Sequence, residues 1–115
     1  MTGLPIPIQF EMFRTFLRSG NYNRAKTVIE DIATYVDDKT GNTALHELSE
    51  IETKDENVVN NFAIMMKELF DNGADPNIQN KEGKTPLLLS SKNSNYVLSK
   101  LLLENRANPN IRGSL

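Results

Sequence analysis

One segment of this chain is written twice. Gly41-Asn42-Thr43-Ala44-Leu45-His46 leads on to Gly73-Ala74-Asp75-Pro76-Asn77, and Gly83-Lys84-Thr85-Pro86-Leu87-Leu88 leads on to Arg106-Ala107-Asn108-Pro109-Asn110. A repeat of this size constrains a fold more than any single motif. It implies a supersecondary unit that cannot bury its apolar face alone and stacks on copies of itself. Recognition then falls on a surface that runs across the copies.

The last copy is the plainest. Thr85 can cap a helix through its hydroxyl, and Pro86 at the first helical position loses nothing by lacking an N–H. Leu87 to Ser91 reads as a short helix and Lys92-Asn93-Ser94-Asn95 as a turn. A second helix is expected from Tyr96 to Glu104, with Val97, Leu98, Leu101 and Leu102 at helical spacing. In the middle copy Thr43 is the cap, Ala44 replaces the proline, and Leu45 and Leu48 face inward. Its second helix, Val58 to Asp71, carries Val58, Val59, Phe62, Ala63, Met66, Leu69 and Phe70 at i, i+3, i+4, i+7 spacing. Gly73 ends it, where a left-handed residue is needed. Thr43 and Asn77 are 34 positions apart but Thr85 and Asn110 only 25, so the middle copy holds a nine-residue insertion. The polar run Glu50 to Asn57 is assigned to it as a solvated, acidic loop.

The first unit is degenerate. A helix starting at Pro7 is expected to bury Ile8, Met12, Phe13, Phe16 and Leu17. A turn at Ser19-Gly20-Asn21 follows, then a helix from about Asn23 to Tyr35 burying Val28, Ile29, Ile32 and Ala33. Core packing accounts for Met65, Met66 and most of the aromatic residues. Only Phe10 and Tyr96 stand out as exposed contacts.

These residues resemble the ankyrin repeat family, whose unit of about 33 residues is a β-turn and two antiparallel helices opened by a Thr-Pro-Leu-His motif. Thr43-Ala44-Leu45-His46 and Thr85-Pro86-Leu87-Leu88 each match that motif at three positions of four. Asp38-Lys39-Thr40-Gly41 and Asn80-Lys81-Glu82-Gly83 resemble the turn before it. The likeness is strong from Asp37 to Ile111. It implies an all-α ankyrin-repeat solenoid of antiparallel helix pairs joined by β-turn hairpins. One domain over 1–115 is expected, with a capping repeat at 7–37, a repeat with the inserted loop at 38–79, and a last repeat and tail at 80–115.

The departures are informative. Leu88 stands where the family has histidine, so a bond between neighbouring hairpins is missing there. Arg106 stands where the family has glycine, and a left-handed non-glycine residue costs about 1 kcal/mol. No helix pair follows Ile111, which leaves three readings open: a longer array, a partner over the last pair, or a homodimer through the uncapped end at Leu98, Leu101 and Leu102. The resemblance also marks Asn77 and Asn110, each eight residues after a leucine, as positions that a dioxygenase hydroxylates in this family.

Little here could perform chemistry. The sole histidine, His46, precedes Glu47, but a zinc-protease helix needs a second histidine four residues on. The resemblance instead has His46 bonding the backbone of the next hairpin. The acidic run Glu50, Glu52, Asp55, Glu56 lacks the glycine turn of a calcium loop. No catalytic residue, metal site or cofactor is expected. With no cysteine, disulfides and thiolate sites are excluded. A net charge of −2 with no basic cluster argues against nucleic acid. The first residues lack the pattern of a secretion signal, and no apolar run approaches the ~18 residues of a membrane span, so no membrane role and a cytoplasmic location, or the host cytosol for an effector, are expected.

The function that follows is non-enzymatic binding of another protein through hairpin tips and the concave inner-helix face. Lys39, Thr40 and Asn42 in one hairpin and Lys81, Glu82 and Lys84 in the next are the expected contacts, with Glu50, Ile51, Lys92 and Asn93 from the inner helices and their turns. The alternative is an inhibitor or decoy of the viral or bacterial effector type, masking a host signalling protein, or the targeting domain of a larger protein.

Overall fold

In the computed structural model, which describes residues 3–113, the chain begins with α1 (Ile6–Arg18), carrying Pro7 in its first turn. Phe10, Phe13 and Leu17, spaced i, i+3, i+7, are buried, and Gln9 joins them by donating Nε2 to the Leu4 carbonyl at 2.9 Å. This rotates the helix relative to the expectation. Ile8 is half exposed, while Phe10, expected as a surface contact, is fully enclosed and tilts against Tyr35 with ring centroids 5.2 Å apart. α1 packs on the helices after it and on α4, so both of its sides compete for the core.

The helix expected over 23–35 is broken into α2 (Tyr22–Lys26) and α3 (Ile29–Ile32). Thr27 causes the break. Its hydroxyl donates to the Arg24 carbonyl at 2.6 Å, and the backbone N–H groups of Thr27 and Val28 bond three residues back, tightening the turn. Val28, Ile29, Ile32 and Ala33 are nevertheless all buried, as their spacing predicts.

Two helix pairs follow, α4 (Ala44–Glu50) with α5 (Glu56–Asp71) and α6 (Pro86–Lys92) with α7 (Tyr96–Glu104). The inner helices α4 and α6 pack on each other, as do the outer helices α5 and α7, and α1 and α3 cover the other side of α4 and α5. Phe62, Met65, Met66 and Leu69 of α5 form the middle of the core, with Tyr22 edge-on to Phe62 at 5.6 Å. No strand forms among the described residues, and the connections between pairs are hydrogen-bonded hairpins.

The nine-residue insertion is not a loop. α5 has 16 residues against nine in α7, so most of the extra length is helix. The connection Ile51–Asp55 is only two residues longer than its counterpart Asn93–Asn95. Glu56 and Asn57, read as loop, form the first turn of α5 behind Asp55, whose carboxylate accepts from Asn57 N at 2.9 Å. Polar residues and an Asp cap suit a first helical turn as well as they suit a loop.

The end of the stack also differs from the expectation. Leu98 and Leu102 are fully buried, and Leu101 is half-buried. Four residues apart on α7, Leu98 and Leu102 turn into the core shared with α5 and α6, so they offer no dimer surface. The exposed apolar residues of α7 are Tyr96, Val97 and Leu103. Arg106 does take the left-handed conformation, at φ 74°, where Gly73 closes α5 at φ 91°.

Candidate partner-binding surface

The hairpins are cross-linked by hydrogen bonds of their own backbone and side chains. In the first, Asp37 N–H bonds the Asn42 carbonyl at 2.8 Å, Asp37 Oδ2 accepts from the N–H and hydroxyl of Thr40, and Thr40 Oγ1 accepts from Asn42 N–H. In the second, Asn80 N–H bonds the Lys84 carbonyl, and Asn80 Oδ1 accepts from the N–H groups of Glu82 and Lys84. Lys81 ties one hairpin to the other, N–H to the Thr40 carbonyl at 2.9 Å and Nζ to the Asp38 carbonyl. Gly41 permits this approach. At φ 75° it is left-handed, and a Cβ there would lie 2.7 Å from Lys81 N.

A second set of bonds joins the units below the tips. His46 Nδ1 accepts from Thr43 N–H at 2.9 Å, which leaves the proton on Nε2 to donate to the Lys84 carbonyl at 2.9 Å. Burial disfavours the charged ring and lowers its pKa, against the pull of the bonds to the Lys84 and Ile78 carbonyls. Glu47 is buried with both oxygens engaged, Oε1 by Arg14 Nε at 3.1 Å and Oε2 by Asn42 Nδ2 at 2.8 Å. Asn42 Oδ1 in turn accepts from Asn80 Nδ2 at 2.9 Å. A polar chain thus runs from α1 through α4 into both hairpins. Arg14 was not singled out in the sequence, and Glu47 and Asn80 were named there only beside His46 and in the second turn, not as members of this chain of bonds.

Asn42 is therefore not a surface contact. It is buried, with its amide bonded on both sides, because the pairing with Asn80 and Glu47 satisfies it in the interior. Most of the other expected contacts gather around two adjoining hollows beside the hairpins and the inner helices. One, of about 270 Å³, is lined by Lys39, Thr40, Glu50, Lys81 and Glu82, with Asn42 and Asn80 at its base. The other, of about 320 Å³, is lined by Glu50, Glu82, Lys84, Leu88, Leu89, Lys92 and Asn93. Asn93 is anchored, donating Nδ2 to the Ser49 and Glu50 carbonyls. Ile51 lines neither hollow and packs half-buried against the core.

A larger hollow of about 510 Å³, unforeseen in the sequence, lies between the start of α5 and the start of α7, with Thr53, Lys54, Val59, Asn60, Tyr96 and Val97 around it. Tyr96, expected to be exposed, is so. Asn77, marked for hydroxylation by the resemblance, has its amide clamped, Nδ2 to the Arg106 carbonyl at 3.1 Å and Oδ1 to Asn108 N–H at 2.7 Å.

The sequence model of the family described as Ankyrin repeat matches residues 40–81 and 82–114. The chain belongs to the ankyrin repeat family. No curated protein matches it. Ankyrin repeats are protein–protein interaction modules without catalytic activity, and the stacked pairs and hairpins described above are the helical solenoid of that family. Among the described residues no group of three His, Cys, Asp or Glu side chains could hold a metal ion, and no helix is long and apolar enough to cross a membrane.

Proposed function

We propose that the protein binds a protein partner through the concave face formed by its two hairpins and the inner helices α4 and α6. The observation that carries this reading is the pair of adjoining hollows, into which Lys39, Lys81, Lys84, Lys92, Glu50 and Glu82 bring charges of both signs. The ion pairs among the described residues all belong to Arg14, with Glu11 and Glu47, so the charges of this face have no ion-pair partner there, although Lys81 Nζ also donates to the Asp38 carbonyl. A backbone frame held by its own hydrogen bonds and carrying charges of both signs suits recognition by electrostatic complementarity. In this reading the 7–37 unit caps the array, the repeats over 38–79 and 80–115 present the face, and the three act as one domain.

The test is capture from cell lysate by the immobilised protein, compared with the Lys81→Glu/Lys84→Glu variant and, because Lys81 Nζ also bonds the Asp38 carbonyl, with Lys84→Glu/Lys92→Glu. Captured proteins are identified by mass spectrometry, and each variant's fold is checked by its thermal melt. Loss of the main captured protein at an unchanged melting temperature is the expected result. Equal capture by the protein and its variants sinks the assignment to this face.

A further inference from the structure

Glu50 and Glu82 differ from the other charged residues of the concave face in one respect. Each lines both hollows, so together they mark the junction. Neither forms an ion pair among the described residues. Burial and the nearby Glu47 raise the Glu50 pKa, only partly offset by Asn42, Arg14 and Arg18. Both carboxylates are exposed and so are open to an incoming cation. Positive charge lies to either side, with Lys39 and Lys81 on the first hollow and Lys84 and Lys92 on the second. Leu88 and Leu89, half-buried, give the second hollow its apolar wall.

We propose that the occupant of this groove is an extended peptide segment of a partner protein in which a basic residue is flanked by acidic ones. The arginine or lysine seats between Glu50 and Glu82, the flanking carboxylates meet Lys39 and Lys92, and an apolar neighbour rests on Leu88 and Leu89. The order of charges follows from complementarity: negative at the junction, positive at both ends. Leu88 takes a part here that the family's histidine could not, because it supplies wall rather than a bond to a further hairpin. The proposal rests on the concave-face reading and adds the chemistry of the partner.

Two blocked peptides test it, Asp-Ala-Arg-Leu-Asp and its inverse Lys-Ala-Glu-Leu-Lys. Net charge alone favours the inverse peptide, because the protein carries −2. A preference for the first peptide therefore reports the local order of charges. Binding is followed by amide chemical shifts in ¹⁵N spectra and by titration. The expected result is shift changes at Glu50, Glu82 and Lys92, an affinity for the arginine peptide about tenfold above that for its inverse, and loss of that preference in Glu50→Gln/Glu82→Gln. Equal affinities, shifts confined to other surfaces, no shifts up to millimolar peptide, or a preference that survives the double substitution each overturn the proposal. If the Lys81/Lys84 reversal abolishes capture while the peptides show no preference, the face stands and only the charge order fails. If capture survives the reversal, the face itself falls.

Discussion

Arg14 on α1 donates its Nε to Oε1 of Glu47 on α4 at 3.1 Å, and it is the only cation paired with this buried carboxylate among the described residues. The pair fastens the degenerate first unit to the repeats. A buried ion pair contributes little net stability, but breaking one leaves a charge without a partner. Arg14→Met is expected to destabilise by about 2 kcal/mol, because Asn42 still holds the other oxygen. The Arg14→Met/Glu47→Leu double variant should recover part of the loss. Urea denaturation of Arg14→Met, Glu47→Leu and the double variant measures this, and a double variant worse than the sum of the singles would show that the pair is not the cause.

His46 makes the stack sensitive to mild acid. Its pKa is lowered in the folded state from about 6.5, so the folded protein binds fewer protons than the unfolded chain. The stability carried by the neutral ring is complete above about pH 6.5 and is lost as pH falls from there through the folded pKa. His46→Leu, which copies the residue at the matching position Leu88, orphans Thr43 N–H and the Lys84 carbonyl and should cost about 2 kcal/mol at neutral pH. The gap between wild type and variant should narrow between pH 7 and pH 5 in denaturation curves. A constant gap would place the titration elsewhere.

Glu50 carries the opposite sign. Burial and Glu47 raise its pKa in the folded state, so the ionised carboxylate opposes folding at neutral pH. It also closes α4, where the helix dipole disfavours negative charge. Glu50→Gln should therefore melt higher than wild type at pH 7. The advantage should shrink as pH falls through the raised folded pKa to the ordinary range near 4.5. A variant less stable than wild type at pH 7 would mean that the carboxylate has a stabilising contact.

Gly41→Ala tests the seam between the hairpins. The new Cβ would meet Lys81 N at 2.7 Å, a backbone atom that cannot step aside without moving its hairpin, and the residue is left-handed as well. The expected cost is about 2 kcal/mol. Amide shifts at Thr40 and Lys81 should move together as their bond loosens. A cost below 0.5 kcal/mol would show that the hairpins part freely.

The local signals were legible where one residue does one job. Thr85 and Pro86 open α6, and α7 runs over Tyr96–Glu104 as its spacing predicts. The burial of Phe13 and Leu17 was legible, but the rotation of α1 was not, because Ile8, Met12 and Phe16 compete with Phe10 for the rest of the buried face. Only the helices packed on either side decide which set is buried. The lengthened α5 was missed because Asp55-Glu56-Asn57 suits a loop and a capped first turn equally. Asn42 reads as a hairpin tip until Asn80 and Glu47 close around it, and that pairing spans 38 positions of sequence. Of the candidate surface, the charged residues around the two hollows were readable from their place in the repeat. The junction formed by Glu50 and Glu82 required the stacking of α4 on α6.

Arg106 offers the simplest gain in stability. It closes α7 at φ 74°, where Gly73 closes α5, and an L-residue with a Cβ is strained in that conformation by about 1 kcal/mol. Its N–H already bonds the Leu103 carbonyl, and its own carbonyl accepts from Asn77 Nδ2, so a glycine would keep both backbone bonds. The side chain is exposed and forms no ion pair among the described residues. Arg106→Gly is therefore expected to raise stability by about 1 kcal/mol, or roughly 4 °C in Tm, and Arg106→Asn by somewhat less. Arg106→Ala should leave it unchanged, because alanine keeps the strained Cβ. If alanine stabilises as much as glycine, the cost belongs to the arginine side chain and not to the left-handed backbone.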